Sequence, residues 1–179
     1  MPPDTDADDA ILAAARAGSA TAFARLVDQH QQAVRAFLRR VAADRDEADD
    51  LAQETFIAAW RRLPTWRGDG ALRSWLFAIA WRKAANGRRA MFRRLVRDTG
   101  FVEMSDLERP GAPGSEDRLA LATALAALPR AERAAAALCL AEDYSHSEAA
   151  LILGLPLGTL KSHVARARAK LLSALEMQS

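Results

Sequence analysis

A chain of 179 residues, half of them apolar, can bury one ordinary core or two small ones, and its formal net charge of +2 does not by itself select a partner. Its single cysteine, Cys139, lies in an apolar run and has no internal disulfide partner; the acidic start MPPDTDADD is followed by no apolar segment of the kind a secretion signal needs. No uninterrupted apolar stretch approaches the roughly 18 residues of a membrane helix, so the expectation is a soluble protein of a reducing cytoplasm without membrane insertion.

Charge is segregated along the chain. Residues 1–55 hold six arginines against eleven acids, residues 56–97 eleven basic residues against Asp69 alone, and residues 98–119 six acids against two arginines. The last of these segments carries Pro110, Pro113, Gly111 and Gly114 and lacks helical or strand periodicity, as a linker does. On either side alanine, leucine and arginine dominate with few β-branched runs. The pattern predicts an all-α chain of two small helical domains joined by a flexible acidic linker. A disordered tail over 1–7 precedes a first domain over 8–97, and the linker over 98–119 leads to a second domain over 120–176.

The first stretch with chemistry in it is DRDEADDLAQETFIAAWRR, residues 44–62. Asp44, Asp46 and Glu47 stand where an N-cap and a favourable interaction with the helix dipole are expected. On a helical wheel Ala48, Leu51, Ala52, Thr55, Phe56, Ala59 and Leu63 make a core stripe. Asp50, Gln53, Glu54, Ile57 and Arg61 fall opposite, where Ile57 is an apolar side chain among groups suited to water. It is either one stray exposed isoleucine or the centre of a docking surface. The DEAD at residues 46–49 matches a helicase motif, but a nucleotide-driven motor needs a phosphate-cradling glycine loop and the chain has none. His30, His146 and His163 have neither metal-ligand spacing nor an adjacent nucleophile, so no catalytic residue, metal site or cofactor is expected.

Next comes a basic block, residues 61–94, entered through Trp60. All four tryptophans, Trp60, Trp66, Trp75 and Trp81, lie between 60 and 81, interleaved with Arg61, Arg62, Arg67, Arg73, Arg82 and Lys83. Cations along phosphates and aromatic faces under bases are what holds a single nucleic-acid strand, each stack contributing roughly 1 to 3 kcal/mol. Trp75 fits a buried helix face, with Leu76 and Ile79, as well as it fits a base contact. Trp66, in the turn TWRGDG, and Trp81, next to Arg82 and Lys83, are expected to be more exposed.

The C-terminal stretch has a supporting helix from about Arg130 after Pro129, then SHSEAALILG, a turn at Gly154 to Pro156, and a last helix from about Leu157. This is a helix-turn-helix pattern. Leu157, Leu160, Val164, Ala167 and Leu171 are expected inward. Gly158, Ser162, Ala165, Arg166 and Ala169 lie opposite, flanked by Thr159 and Lys161, with His163 toward the side. Small residues there let the backbone approach the major groove while Lys161, Ser162 and Arg166 reach phosphates or base edges.

Together these stretches carry a resemblance that covers nearly the whole chain. DEADDLAQETFIAAWRRLPTWRGDGALRSWLFAIA resembles region 2 of bacterial sigma factors of the extracytoplasmic-function type, in the sigma-70 superfamily. LPRAERAAAALCLAEDYSHSEAALILGLPLGTLKSHVARARAKL resembles their region 4. The resemblance implies a dissociable initiation subunit of RNA polymerase core that forms no bond itself. It assigns Asp50, Gln53, Glu54 and Ile57 to the clamp helices of the β′ subunit. Trp66, Arg67, Trp75, Trp81, Arg82, Lys83, Arg88 and Arg89 go to the opened minus-ten strand of promoter DNA. Thr159, Lys161, Ser162, His163 and Arg166 go to the minus-thirty-five duplex, with region 4 also touching the β flap. An anti-sigma partner and a monomeric free state are implied as well.

The chain departs from the family pattern at AWRKAANG, where Trp81 and Arg82 stand in place of Arg and Asn, and at KSH, where His163 replaces an arginine. His163 also makes that run similar to regulators of the LuxR type. An autonomous operator-binding regulator with an unrelated helical N-terminal domain is therefore the alternative.

Overall fold

The computed structural model describes residues 5–97 and 116–176, with side chains described over 9–86, 121–174 and 176. The described residues form helices, tight turns and no strands, in agreement with the all-α expectation. The helices are α1 (Thr5–Arg16), α2 (Ala20–Val41), α3 (Arg45–Arg62), α4 (Leu72–Arg97), α5 (Glu116–Ala126), α6 (Arg130–Ala136), α7 (His146–Leu153) and α8 (Leu157–Glu176). Two boundaries differ from the sequence reading. Thr5 opens α1 inside the stretch expected to be a disordered tail, where the acids that follow it suit a helix start. Residues 116–119, taken as linker, already belong to α5, which opens on Glu116 and Asp117 for the same reason.

Local chemistry accounts for the helix ends. Ser19 caps α2 by accepting from the Ala22 amide at 3.2 Å. Asp44 caps α3 by accepting from the Glu47 amide at 2.7 Å, and the Glu47 carboxylate reaches back to the Ala43 amide. Asp46 and Glu47 in the first turn and Arg61 and Arg62 in the last both suit the dipole of α3, which explains the change of sign along it. Beyond α6 the chain makes a wider turn over Ala137–Ala141 and then passes Asp143, held at φ 57°. A Ser145–Glu148 capping box opens α7 and Gly154, at φ 64°, closes it.

Residues 98–115 of the expected linker lie outside the described residues; the two halves share buried contacts. One buried cluster runs from Val34, Phe37 and Leu38 of α2 through Phe77 and Ala80 of α4 to Leu138 and to Leu153 and Leu160 of the helix-turn-helix. Residues 76–80 of α4 are all buried, because α2 and α3 cover one side of that helix and α7 the other. Polar links seal the same boundary. Glu142 pairs with Arg40 at 3.3 Å and with Arg73, whose guanidinium also lies over the Phe77 and Tyr144 rings. Arg130 pairs with Glu47 at 3.1 Å and donates to the Ala84 carbonyl. A smaller cluster of Ala15, Leu26, Leu63 and Trp66 closes the far end beneath α1.

Candidate nucleic-acid and protein interfaces

On α3 the wheel is realised side chain by side chain. Ala48, Leu51, Ala52, Thr55 and Ala59 are buried, and the Thr55 hydroxyl is satisfied by donating to the Leu51 carbonyl at 2.7 Å. Asp50, Gln53, Glu54 and Ile57 are all exposed. Ile57 is 45% exposed and is the only exposed large apolar side chain among the described residues of α1 to α4. The four therefore form a continuous acidic patch with an apolar centre, untouched by the contacts that bind the two halves together. Glu54 leads from this patch to the basic block through an ion pair with Lys83 at 3.0 Å.

The tryptophans do not sit as expected. Trp66 was expected at the surface but is 9% exposed: the short turn Leu63–Thr65 folds it back onto Trp75, ring on ring with centroids 5.4 Å apart. A large ring beside Leu26 and Leu63 removes more apolar surface from water there than it would in an open turn. Trp81 was also expected to be open. It is half-buried against α7, and its indole N–H donates to the Leu153 carbonyl at 3.1 Å. Trp75 is half-buried and packs against both apolar clusters. Trp60 is half-buried beside Phe23, with centroids at 4.9 Å. Arg67 and Arg82 are exposed, as a phosphate contact requires. Arg88 and Arg89 lie on α4, with side chains outside the described residues.

In the helix-turn-helix, Leu160, Val164 and Ala167 of α8 are buried and Leu171 is half-buried. Leu157, expected inward, is exposed: it is the first residue of α8, one turn ahead of the point where the helix meets its support. The small outward residues Gly158, Ser162, Ala165 and Ala169 are exposed together with Thr159 and Lys161. Ser162 donates to the Gly158 carbonyl at 3.0 Å. His163 and Arg166 are not free. Arg166 donates through Nε to Glu132 at 2.7 Å, and its Nη2 lies 2.8 Å from the His163 Nδ1.

Beside this face an open groove of about 450 Å³ runs between α8 and the stretch leading into α7, with Lys161, Arg168, His146 and Cys139 among its lining residues. Arg168 was not singled out from the sequence, although its spacing of seven from Lys161 places both on one side of the helix. Burial raises the Cys139 thiol above its ordinary value, which favours its protonated form. Among the described residues no helix is long and apolar enough to cross a membrane, and no cluster of three or more metal-ligating side chains occurs.

Comparison with known proteins identifies the family. The family described as Sigma-70 region 2 matches residues 26–94, and that described as Sigma-70, region 4 matches residues 118–171. The RNA polymerase sigma factor NccH of Alcaligenes xylosoxydans xylosoxydans is 35% identical over 182 residues, which cover 97% of each chain. The sigma factor RpoE of Bartonella quintana, solved with the anti-sigma factor NepR, superimposes with a TM-score of 0.76 at 32% identity, covering 88% of this chain and 98% of that one. CnrH, a sigma factor of Cupriavidus metallidurans, solved with the cytosolic domain of CnrY, gives 0.68 at 30% identity over 97% and 99% of the two chains. Both regions are present in order and the likeness runs nearly end to end: the chain belongs to the sigma-70 family, as a sigma factor of the extracytoplasmic-function type.

Proposed function

We propose that this chain is a dissociable promoter-recognition subunit of RNA polymerase core, acting in the cytoplasm and forming no bond itself. Region 2, over residues 8–97, docks the β′ clamp helices through Asp50, Gln53, Glu54 and Ile57. The exposure of all four opposite the buried Ala48, Leu51, Ala52, Thr55 and Ala59 is the observation that carries this reading. Arg67, Arg82 and Lys83, with Arg88 and Arg89 further along α4, guide the opened minus-ten strand. Trp75 and Trp81 supply aromatic surface for its bases, with Trp66 as the buttress under Trp75. Region 4, over residues 120–176, reads the minus-thirty-five duplex with Thr159, Lys161, Ser162, His163 and Arg166 and touches the β flap. Residues 98–115 lead from the first region to α5.

Trp81 is engaged by Leu153 in the closed arrangement, so strand capture requires region 4 to swing away from α4. An anti-sigma partner is part of the proposal, since relatives of this chain have been solved with NepR and with CnrY. A LuxR-type regulator is disfavoured because residues 26–94 match region 2 rather than an unrelated domain. Transcription in vitro with core polymerase on a promoter library tests the assignment. Specific starts that depend on the added chain support it, and their absence overturns it.

A further inference from the structure

Glu132, the partner of Arg166 on the α8 face, is the most deeply buried carboxylate among the described residues, with a side chain 7% exposed in the first turn of α6. An ionised group in that position must be paired, and every partner comes from one side of α8. Arg166 Nε donates to Oε1 at 2.7 Å, Lys170 Nζ lies 3.6 Å from Oε2, and His163 Nδ1 lies 3.9 Å from Oε1. These residues stand at i, i+3 and i+7, so one carboxylate spans two turns of the recognition helix.

Stability alone is a weak reason for the arrangement. Arg166 and Lys170 are each 53% exposed, and pairs that wet contribute little to folding, whereas an apolar side chain of the same size would suit the site under α8 at least as well. Oε2 makes no hydrogen bond among the described residues, so the carboxylate is not even fully satisfied. What the contact does achieve is geometric. It fixes a long, flexible side chain by its Nε, and His163 steadies one arm of the fork, so the ordering of Arg166 precedes DNA binding.

We propose that Glu132 is a positioning residue for promoter reading, holding Arg166, with His163 beside it, in the orientation in which α8 presents it to duplex DNA. This rests on the assignment of α8 to the minus-thirty-five element made under Proposed function.

The test uses the full chain assembled with core polymerase and an upstream element selected by the unmodified chain from a randomised library. The readout is the ratio of transcription from that element to transcription from a scrambled one, with thermal unfolding followed in parallel. Arg166→Ala lowers the ratio about fivefold or more if the arginine reads DNA. Glu132→Leu gives the same loss without a fall in melting temperature, and the double variant is no worse than either single one. Glu132→Gln, whose amide oxygen still accepts from Nε, falls between. An undiminished ratio in Arg166→Ala overturns both the assignment of α8 and the proposal. A loss in Arg166→Ala together with a full ratio in Glu132→Leu overturns the proposal alone. Should Glu132→Leu not fold, a full ratio in Glu132→Gln does the same.

Discussion

Glu142 is the point at which the boundary between the two regions can be loosened with least disturbance. Its side chain is 10% exposed and faces two guanidinium groups of region 2, those of Arg40 and Arg73, each about a third exposed. Changing Glu142→Gln preserves shape and removes the charge. Breaking a fully buried ion pair costs about 3 to 5 kcal/mol. An exposed pair is worth about 0 to 1 kcal/mol. With the acid buried and both arginines partly wet, the loss falls between these, at about 1 to 2 kcal/mol after solvent screening. If Glu142 holds the regions together, amide hydrogens of α7 that exchange through opening of the boundary do so about five- to thirtyfold faster in the variant. The same opening releases Trp81 from Leu153, so affinity for a single-stranded minus-ten oligonucleotide rises by no more than that factor while the closed form dominates. Unchanged exchange across α7 with unchanged strand affinity would refute the reasoning, since the ion pairs would then carry none of the contact between regions.

Three further outcomes follow from the geometry. Trp66→Ala removes a ring stacked on Trp75 and packed on Leu26 and Leu63, and should lower the urea-unfolding free energy by about 3 to 5 kcal/mol; a loss under 1 kcal/mol would mean that the ring is exposed in solution. Burial raises the Glu132 carboxyl, but the Arg166 hydrogen bond and the charges of Lys170 and Arg166 outweigh it and hold it below its ordinary value of 4.5. Because the folded form is the stronger acid, this contribution to stability is present above about pH 4.5 and disappears as pH falls through the depressed native value. Stability measured from neutral pH downward should therefore fall less steeply in Glu132→Leu than in the parent, and parallel curves would count against the linkage. Ser145→Ala removes one half of the capping box and should cost about 1 kcal/mol in thermal unfolding, with the Glu148 carboxyl rising back toward its ordinary value as it loses that hydroxyl.

Much of this was legible where a local rule sufficed. The two faces of α3, its Asp44 cap and the small outward residues of α8 all follow from helical spacing and end chemistry. The tryptophans were misjudged because composition identifies a type of chemistry without saying which rings the fold needs for itself. Trp66 beside a turn looked open, yet Leu26, forty residues away in sequence, supplies its cover. Burial of residues 76–80 had a sequence signal in the unbroken LFAIA, since a helix apolar on every side is covered on every side. The contacts of Glu142 with Arg40 and Arg73, of Glu47 with Arg130 and of Glu132 with α8 had none: long-range charge pairing leaves no periodic trace.

The division of labour between an acidic docking face and two cationic reading surfaces is tested most directly by equilibrium binding of the chain to core polymerase, with Gln53→Lys and Ile57→Glu as paired variants. The account predicts tight binding by the parent chain and loss of at least tenfold in each variant, about 1.4 kcal/mol or more, with circular dichroism and melting unchanged. Parental affinity in both folded variants would contradict it.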